Sequence, residues 1–156
     1  MNEKEIIERE TIDAFVEMFN RREQEDYVVE KYSDAPDAIC KNGCGEKLQV
    51  EVTLTEDRPG DLPWMLGRLD DRPRKSRLGS CLGGNVLNQL MKRLEDKMKK
   101  RYGQKTALVV RDSSGVDWPW EHIADDVQRL IKDKSNPYDM GIWVVNLSKT
   151  RVHRLA

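Results

Sequence analysis

Asp37 and Glu51 are the residues of this 156-residue chain whose types and spacing most directly suggest chemistry. Asp37 follows Pro36 and opens a short apolar stretch. Glu51 lies 14 positions later, inside the alternating run Leu48-Gln49-Val50-Glu51-Val52-Thr53-Leu54. A hairpin of that length brings two carboxylates side by side. Converging carboxylates are a natural seat for Mg2+ or Mn2+, hard cations that prefer oxygen ligands. Such an ion polarises a phosphodiester and lowers the pKa of an attacking water. Each acid alone has an ordinary reading: Asp37 as a turn residue beside Pro36, Glu51 as a solvent-facing strand residue. Together they say more, because Gln49, Glu51 and Thr53 form an all-polar stripe opposite Leu48, Val50, Val52 and Leu54. On a sheet covered on both faces that stripe is buried, which favours a site.

The surrounding sequence sets the elements that must hold the pair. Residues 3–24 read as a helix, with Ile7, Ile12, Phe15, Val16, Met18 and Phe19 on one broad face and Glu8 near its middle. A carboxylate there is costly unless paired or bound, although acidic residues also favour a helix N-terminus. Tyr27–Tyr32 and Asp37–Lys41 have strand character, separated by Ser33-Asp34-Ala35-Pro36. Asn42-Gly43-Cys44-Gly45 is a turn, with two glycines to take positive φ. With Leu48–Leu54 these strands predict a meander. Residues 55–83 read as a long irregular segment with a short helix around Leu62–Leu69. A helix over Asn85–Tyr102, closed by Gly103, carries a stripe from Val86 to Met98 with Lys97 at its edge. Thr106–Val110 reads as a strand buried on both faces. A helix starting near Pro119, a buried strand over Gly141–Leu147 and a short strand over Arg151–Leu155 complete the order. The expected fold class is α/β: a mixed central sheet flanked by helices, in one domain over 1–156.

Composition narrows the classes. The chain is 38% hydrophobic and 35% charged, enough to bury a core. No apolar run approaches 18 residues, and Met1–Glu5 lacks a signal-peptide pattern, so the expectation is a cytoplasmic protein without a membrane partner. Three cysteines, an odd count, argue against a disulfide framework. A zinc site from Cys40, Cys44, Cys81 and His122 or His153 is a weaker reading than ordinary thiols. The net charge of −1 hides an asymmetry: residues 1–39 hold 5 Lys/Arg against 12 Asp/Glu, and residues 40–105 hold 15 against 9. The basic middle segment, with Arg68, Arg72, Arg74, Lys75, Arg77 and Lys92, is the candidate nucleic-acid surface. Trp118 and Trp120 read as core residues ahead of base-stacking ones, and His122 as a surface histidine. No phosphate-binding glycine loop, serine elbow or Cys-His nucleophile pair is evident.

In Pro36-Asp37-Ala38-Ile39 and Leu48-Gln49-Val50-Glu51-Val52-Thr53, and in element order over about residues 5–147, the chain resembles the PD-(D/E)XK nuclease superfamily. The resemblance implies a restriction-endonuclease-like αβββαβ core with an extra αβ unit. It implies a divalent-metal-dependent endonuclease acting on nucleic acid, DNA ahead of RNA, with Asp37 and Glu51 as metal ligands. Glu8 would be the acid that some members supply from the first helix, with Glu5 and Glu30 as fallbacks. The family lysine belongs at position 53, where this chain has Thr53. Some relatives move that lysine to the following helix, which makes Lys97 its counterpart here. Lys47 shares the Glu51 face but lies roughly 13 Å down the strand. Cutting both strands of a duplex needs two sites, which implies a homodimer. The alternative is a catalytically inactive module of the same fold that binds nucleic acid or a protein partner, and Thr53 is the feature that supports it.

Overall fold

The computed structural model describes residues 2–55, 85–101, 103, 105–112, 120–132, 136–146 and 148–156. The chain order is α1 (Glu3–Glu23), β1 (Val28–Tyr32), β2 (Ala38–Lys41), β3 (Lys47–Leu54), α2 (Asn85–Met98), β4 (Thr106–Arg111), α3 (Trp120–Ile131), β5 (Ile142–Val145) and β6 (Val152–Arg154). The six strands form one open mixed sheet in the order β1-β2-β3-β4-β5-β6. β1, β2 and β3 are the expected antiparallel meander. β3, β4 and β5 run parallel, and β6 returns antiparallel.

Helix placement follows from that order. The two parallel crossovers step the same way along the sheet, so a shared handedness puts α2 and α3 on one face. Leu90 and Leu94 of α2 and Ile123 and Val127 of α3 pack there with Leu108, Val110, Ile142 and Val144. α1 covers the other face through Ile7, Ile12, Phe15, Val16 and Phe19, against Val50, Val52, Val109 and Trp143. Trp143 takes both phenylalanines edge-on, at 5.9 Å from Phe15 and 5.7 Å from Phe19. The N-terminus of α1 is closed by a capping box: the Glu5 N–H donates to Asn2 Oδ1 at 2.9 Å, and the Asn2 N–H donates back to Glu5 Oε2 at 3.2 Å. Among the described residues no helix is long and apolar enough to cross a membrane.

Several expectations shift in detail. α2 ends at Met98 rather than Tyr102, because the Arg101 guanidinium caps the Met98 carbonyl at 2.8 Å. In the hairpin turn only Gly45 takes positive φ, at +82°. At Gly43 a Cβ would lie 2.7 Å from Asp26 Oδ2, the tip of an exposed side chain that is free to move aside. The Asn42 side-chain oxygen organises that turn by accepting from the N–H groups of Cys44 and Glu46. The expected irregular segment, its short helix around Leu62–Leu69, Cys81, Trp118 and Pro119 lie outside the described residues.

Candidate metal centre

Register brings Asp37 to Glu51. β2 and β3 pair with Ala38 opposite Val50 and Cys40 opposite Leu48. One further step past Ala38 sets Asp37 opposite Glu51. Asp37 Oδ2 accepts the Val52 N–H at 2.7 Å, which ties the carboxylate to β3 beyond the last paired residue.

Strand alternation then fixes the face. Val50 and Val52 belong to the core under α1, so Glu51 and Thr53 turn toward α2. Both are buried, Glu51 at 3% exposure and Thr53 at 7%. Lys97, in the last turn of α2, donates from Nζ to Glu51 Oε1 at 2.6 Å. Its backbone is held in turn, since the Tyr138 hydroxyl donates to the Lys97 carbonyl at 2.8 Å. Glu51 Oε2 is buried with no hydrogen-bond partner among the described residues. Leaving a buried charged acceptor unsatisfied costs on the order of 1–3 kcal/mol or more, which a bound cation would remove.

Glu8 approaches from α1, with its side chain 18% exposed and Lys4 Nζ at 3.7 Å. Glu8, Asp37, Glu51, Thr53 and Lys97 all line one cavity of about 480 Å³, together with Arg93 and Lys100. Among the described residues, no three His, Cys, Asp or Glu side chains make a ready metal cage. Mg2+ does not need one: it keeps several waters and uses one or two carboxylates plus substrate phosphate oxygens. Asp37 and Glu51 each have one oxygen engaged within the protein, Oδ2 and Oε1, and fit that donor set with the other.

Burial raises the Asp37 carboxyl to about 7, against the pull of the Val52 N–H. That value is a net one: Glu51 and Glu8 add to the effect of burial, and Lys97 partly offsets them. Glu8 is also raised, first by burial, with Lys4 opposing. The Asp37 shift has a consequence for stability. Unfolded, Asp37 loses its proton near its ordinary 3.8; folded, it keeps it to about 7. Between those values the folded state binds the extra proton, so stability falls as pH rises through the window and stays low above it. Asp37→Asn is therefore expected to be more stable than the wild type, without metal, by roughly 1–2 kcal/mol at pH 8, allowing for solvent screening. Urea melts at pH 5 and pH 8 check this; an advantage that fails to grow with pH contradicts it.

The other candidates divide clearly. Lys92 is exposed and does not line the cavity. Arg68, Arg72, Arg74, Lys75 and Arg77 lie outside the described residues, as does the His122 side chain. Glu5 is engaged in the α1 cap and Glu30 is exposed on β1. Lys47 is exposed at the far end of β3, opposite Lys41. The described zinc candidates form no group: Cys40 is a core thiol whose burial pushes it up to about 12, Cys44 is exposed in the turn, and His153 is on β6 at the far side of the sheet; Cys81 and the His122 side chain lie outside the described residues. Trp120 is a core residue, 4% exposed, with its indole N–H donating to Asp112 Oδ2 at 3.3 Å. Sequence reading missed Arg93 and Lys100. Arg93 lies four residues before Lys97 within α2, the helical spacing that puts the two on one face, whereas Lys100 lies past the helix end at Met98 and lines the cavity from there. The Arg93 guanidinium donates to the Leu54 carbonyl, which joins α2 to the end of β3.

Comparison with known proteins gives no match: no family model, no curated protein and no solved structure matches the chain.

Proposed function

We propose that the chain is a divalent-metal-dependent endonuclease that hydrolyses phosphodiester bonds in nucleic acid, DNA ahead of RNA, on a restriction-endonuclease-like fold of the PD-(D/E)XK kind. The observation that carries this reading is the buried Oε2 of Glu51, without a hydrogen-bond partner among the described residues, opposite Asp37 and beside Lys97. A buried carboxylate with one oxygen on an ammonium and the other on nothing is a poor structural device and a good cation ligand. Asp37 and Glu51 would hold Mg2+ or Mn2+, with Glu8 reached through water. When bound, the ion supplies positive charge to the phosphodiester and acidifies a coordinated water.

The chain's own groups do the rest. Lys97 orients Glu51 and keeps a positive charge next to the reacting phosphate, where developing negative charge is stabilised. This is the charge that Thr53 cannot bring. The Thr53 hydroxyl lines the same cavity and can hydrogen-bond a water there. Arg93 and Lys100 add cations on the α2 side for the substrate backbone. Two copies would serve the two strands of a duplex, in the cytoplasm.

The test offers plasmid, linear duplex, single-stranded DNA and RNA in Mg2+ and in Mn2+, beside Glu51→Ala. Cleavage that both EDTA and Glu51→Ala abolish supports the reading. No cleavage of any substrate, with nucleic-acid or protein binding that survives Asp37→Ala and Glu51→Ala, moves it to the catalytically inactive binding module.

A further inference from the structure

The acids sit at the junction of two cavities. A second one, about 570 Å³, opens between α1 and β1 and shares Lys4, Glu8, Asp34 and Asp37 with the first. It adds two cations, Arg9 from α1 and Lys31 from β1. Neither has a carboxylate partner among the described residues. Of the four acids that line this cavity, Glu5 is engaged by the α1 cap, Glu8 is paired with Lys4, Asp37 belongs to the candidate metal centre, and Asp34 is exposed. Arg9 is also held in place: its guanidinium lies 4.6 Å from the Tyr32 ring centroid, and the Tyr32 hydroxyl is anchored by donating to Asp13. A guanidinium held over an aromatic ring still has N–H donors for an anionic acceptor, and phosphate oxygens suit them. Cations therefore flank the acids on both sides, Lys97 and Lys100 on the α2 side, Arg9 and Lys31 on the α1 side.

The geometry points to a subsite for the phosphate that neighbours the reacting one. A single nucleic-acid strand crosses the acids, its reacting phosphodiester at Asp37 and Glu51. The next phosphate rests on the guanidinium edge of Arg9, with Lys31 beyond it. This rests on the phosphodiesterase reading above and adds a substrate requirement: the strand must extend at least one phosphate past the cut on the α1 side. Arg9 is a positioning residue for substrate, with Tyr32 as its support.

The experiment uses a labelled single strand with one cut site, truncated one nucleotide at a time from each end, and follows cleavage by wild type, Arg9→Gln, Arg9→Lys and Lys31→Gln. On the full strand Arg9→Gln is expected to raise KM roughly tenfold, with a smaller change in kcat, and to lower the salt slope of log(1/KM) by about 0.7, the value for one phosphate contact on a single strand. Arg9→Lys should keep the salt slope. Once truncation from one end removes the flanking phosphate, Arg9→Gln and wild type should converge. A purely structural role would not produce that convergence. Intact cleavage with equal KM and salt slope for Arg9→Gln and wild type, or a defect that persists on every truncated strand, overturns the subsite alone. Failure of the wild type to cut any strand overturns the underlying reading and the subsite with it.

Discussion

Lys97→Ala is expected to lower stability by about 2–4 kcal/mol and kcat by about 10²–10³-fold. Glu51 is 3% exposed, and Lys97 is the partner of one of its oxygens while the other has none among the described residues. Removing Lys97 leaves a buried carboxylate without compensation, which ordinarily costs 3–5 kcal/mol. The figure is set lower because the Lys97 side chain is 20% exposed, so water reaches the vacated end. For a chain of this length the loss corresponds to a Tm lower by roughly 5–15 °C. Glu51→Gln added to Lys97→Ala should restore most of the stability and none of the activity. This separates the structural cost of an unpaired charge from its catalytic role. A Lys97→Ala protein that melts with the wild type would mean that Glu51 is solvated or protonated without Lys97, and the ion pair would then explain nothing.

Glu51→Gln alone is expected to cut kcat by about 10³-fold or more while leaving the metal-free fold intact. A bound ion contributes several kcal/mol to a charged transition state, and about 4 kcal/mol is a thousandfold in rate. The isosteric amide keeps the packing of β3 against α2 but removes the charge that a cation needs. The signature is in stability as well as rate. Wild type with metal at a hundred times its Kd should gain about 2.7 kcal/mol, and Glu51→Gln should gain almost nothing. Thermal melts with and without Mg2+ read this directly, and an equal metal shift in both proteins contradicts a ligand role for Glu51.

Much of this arrangement is legible in the sequence because β3 alternates cleanly. Leu48, Val50, Val52 and Leu54 against Gln49, Glu51 and Thr53 fix which side chains share a face, and a sheet covered on both sides must bury the polar set. Lys97 is legible only through the resemblance, which implies a motif lysine moved to the following helix; the apolar stripe then puts Lys97 at that helix's edge. The distance between Lys97 and Glu51 is not legible, because it depends on how far α2 lies along β3. That is set by the packing of Leu90 and Leu94 on Leu108 and Val110. The Val52–Asp37 hydrogen bond is likewise a property of strand register, invisible until Ala38 is known to pair with Val50. Of the cavity cations, Arg93 is legible from helical spacing, four residues before Lys97, whereas Lys100 lies past the end of α2 and only the fold brings it to the cavity. Gly43 and Gly45 show the same limit on a smaller scale: only Gly45 takes a positive φ, and the two glycines, separated by one residue, look alike in the sequence.

The most direct test of a metal centre built from Asp37 and Glu51 is a titration of the pure protein with Mn2+, followed by electron paramagnetic resonance of the free ion, for wild type, Asp37→Asn and Glu51→Gln at pH 8. The predicted result is saturable binding in the wild type, weakened at least tenfold in each variant. Binding of equal affinity in all three proteins, or none in the wild type, would contradict it.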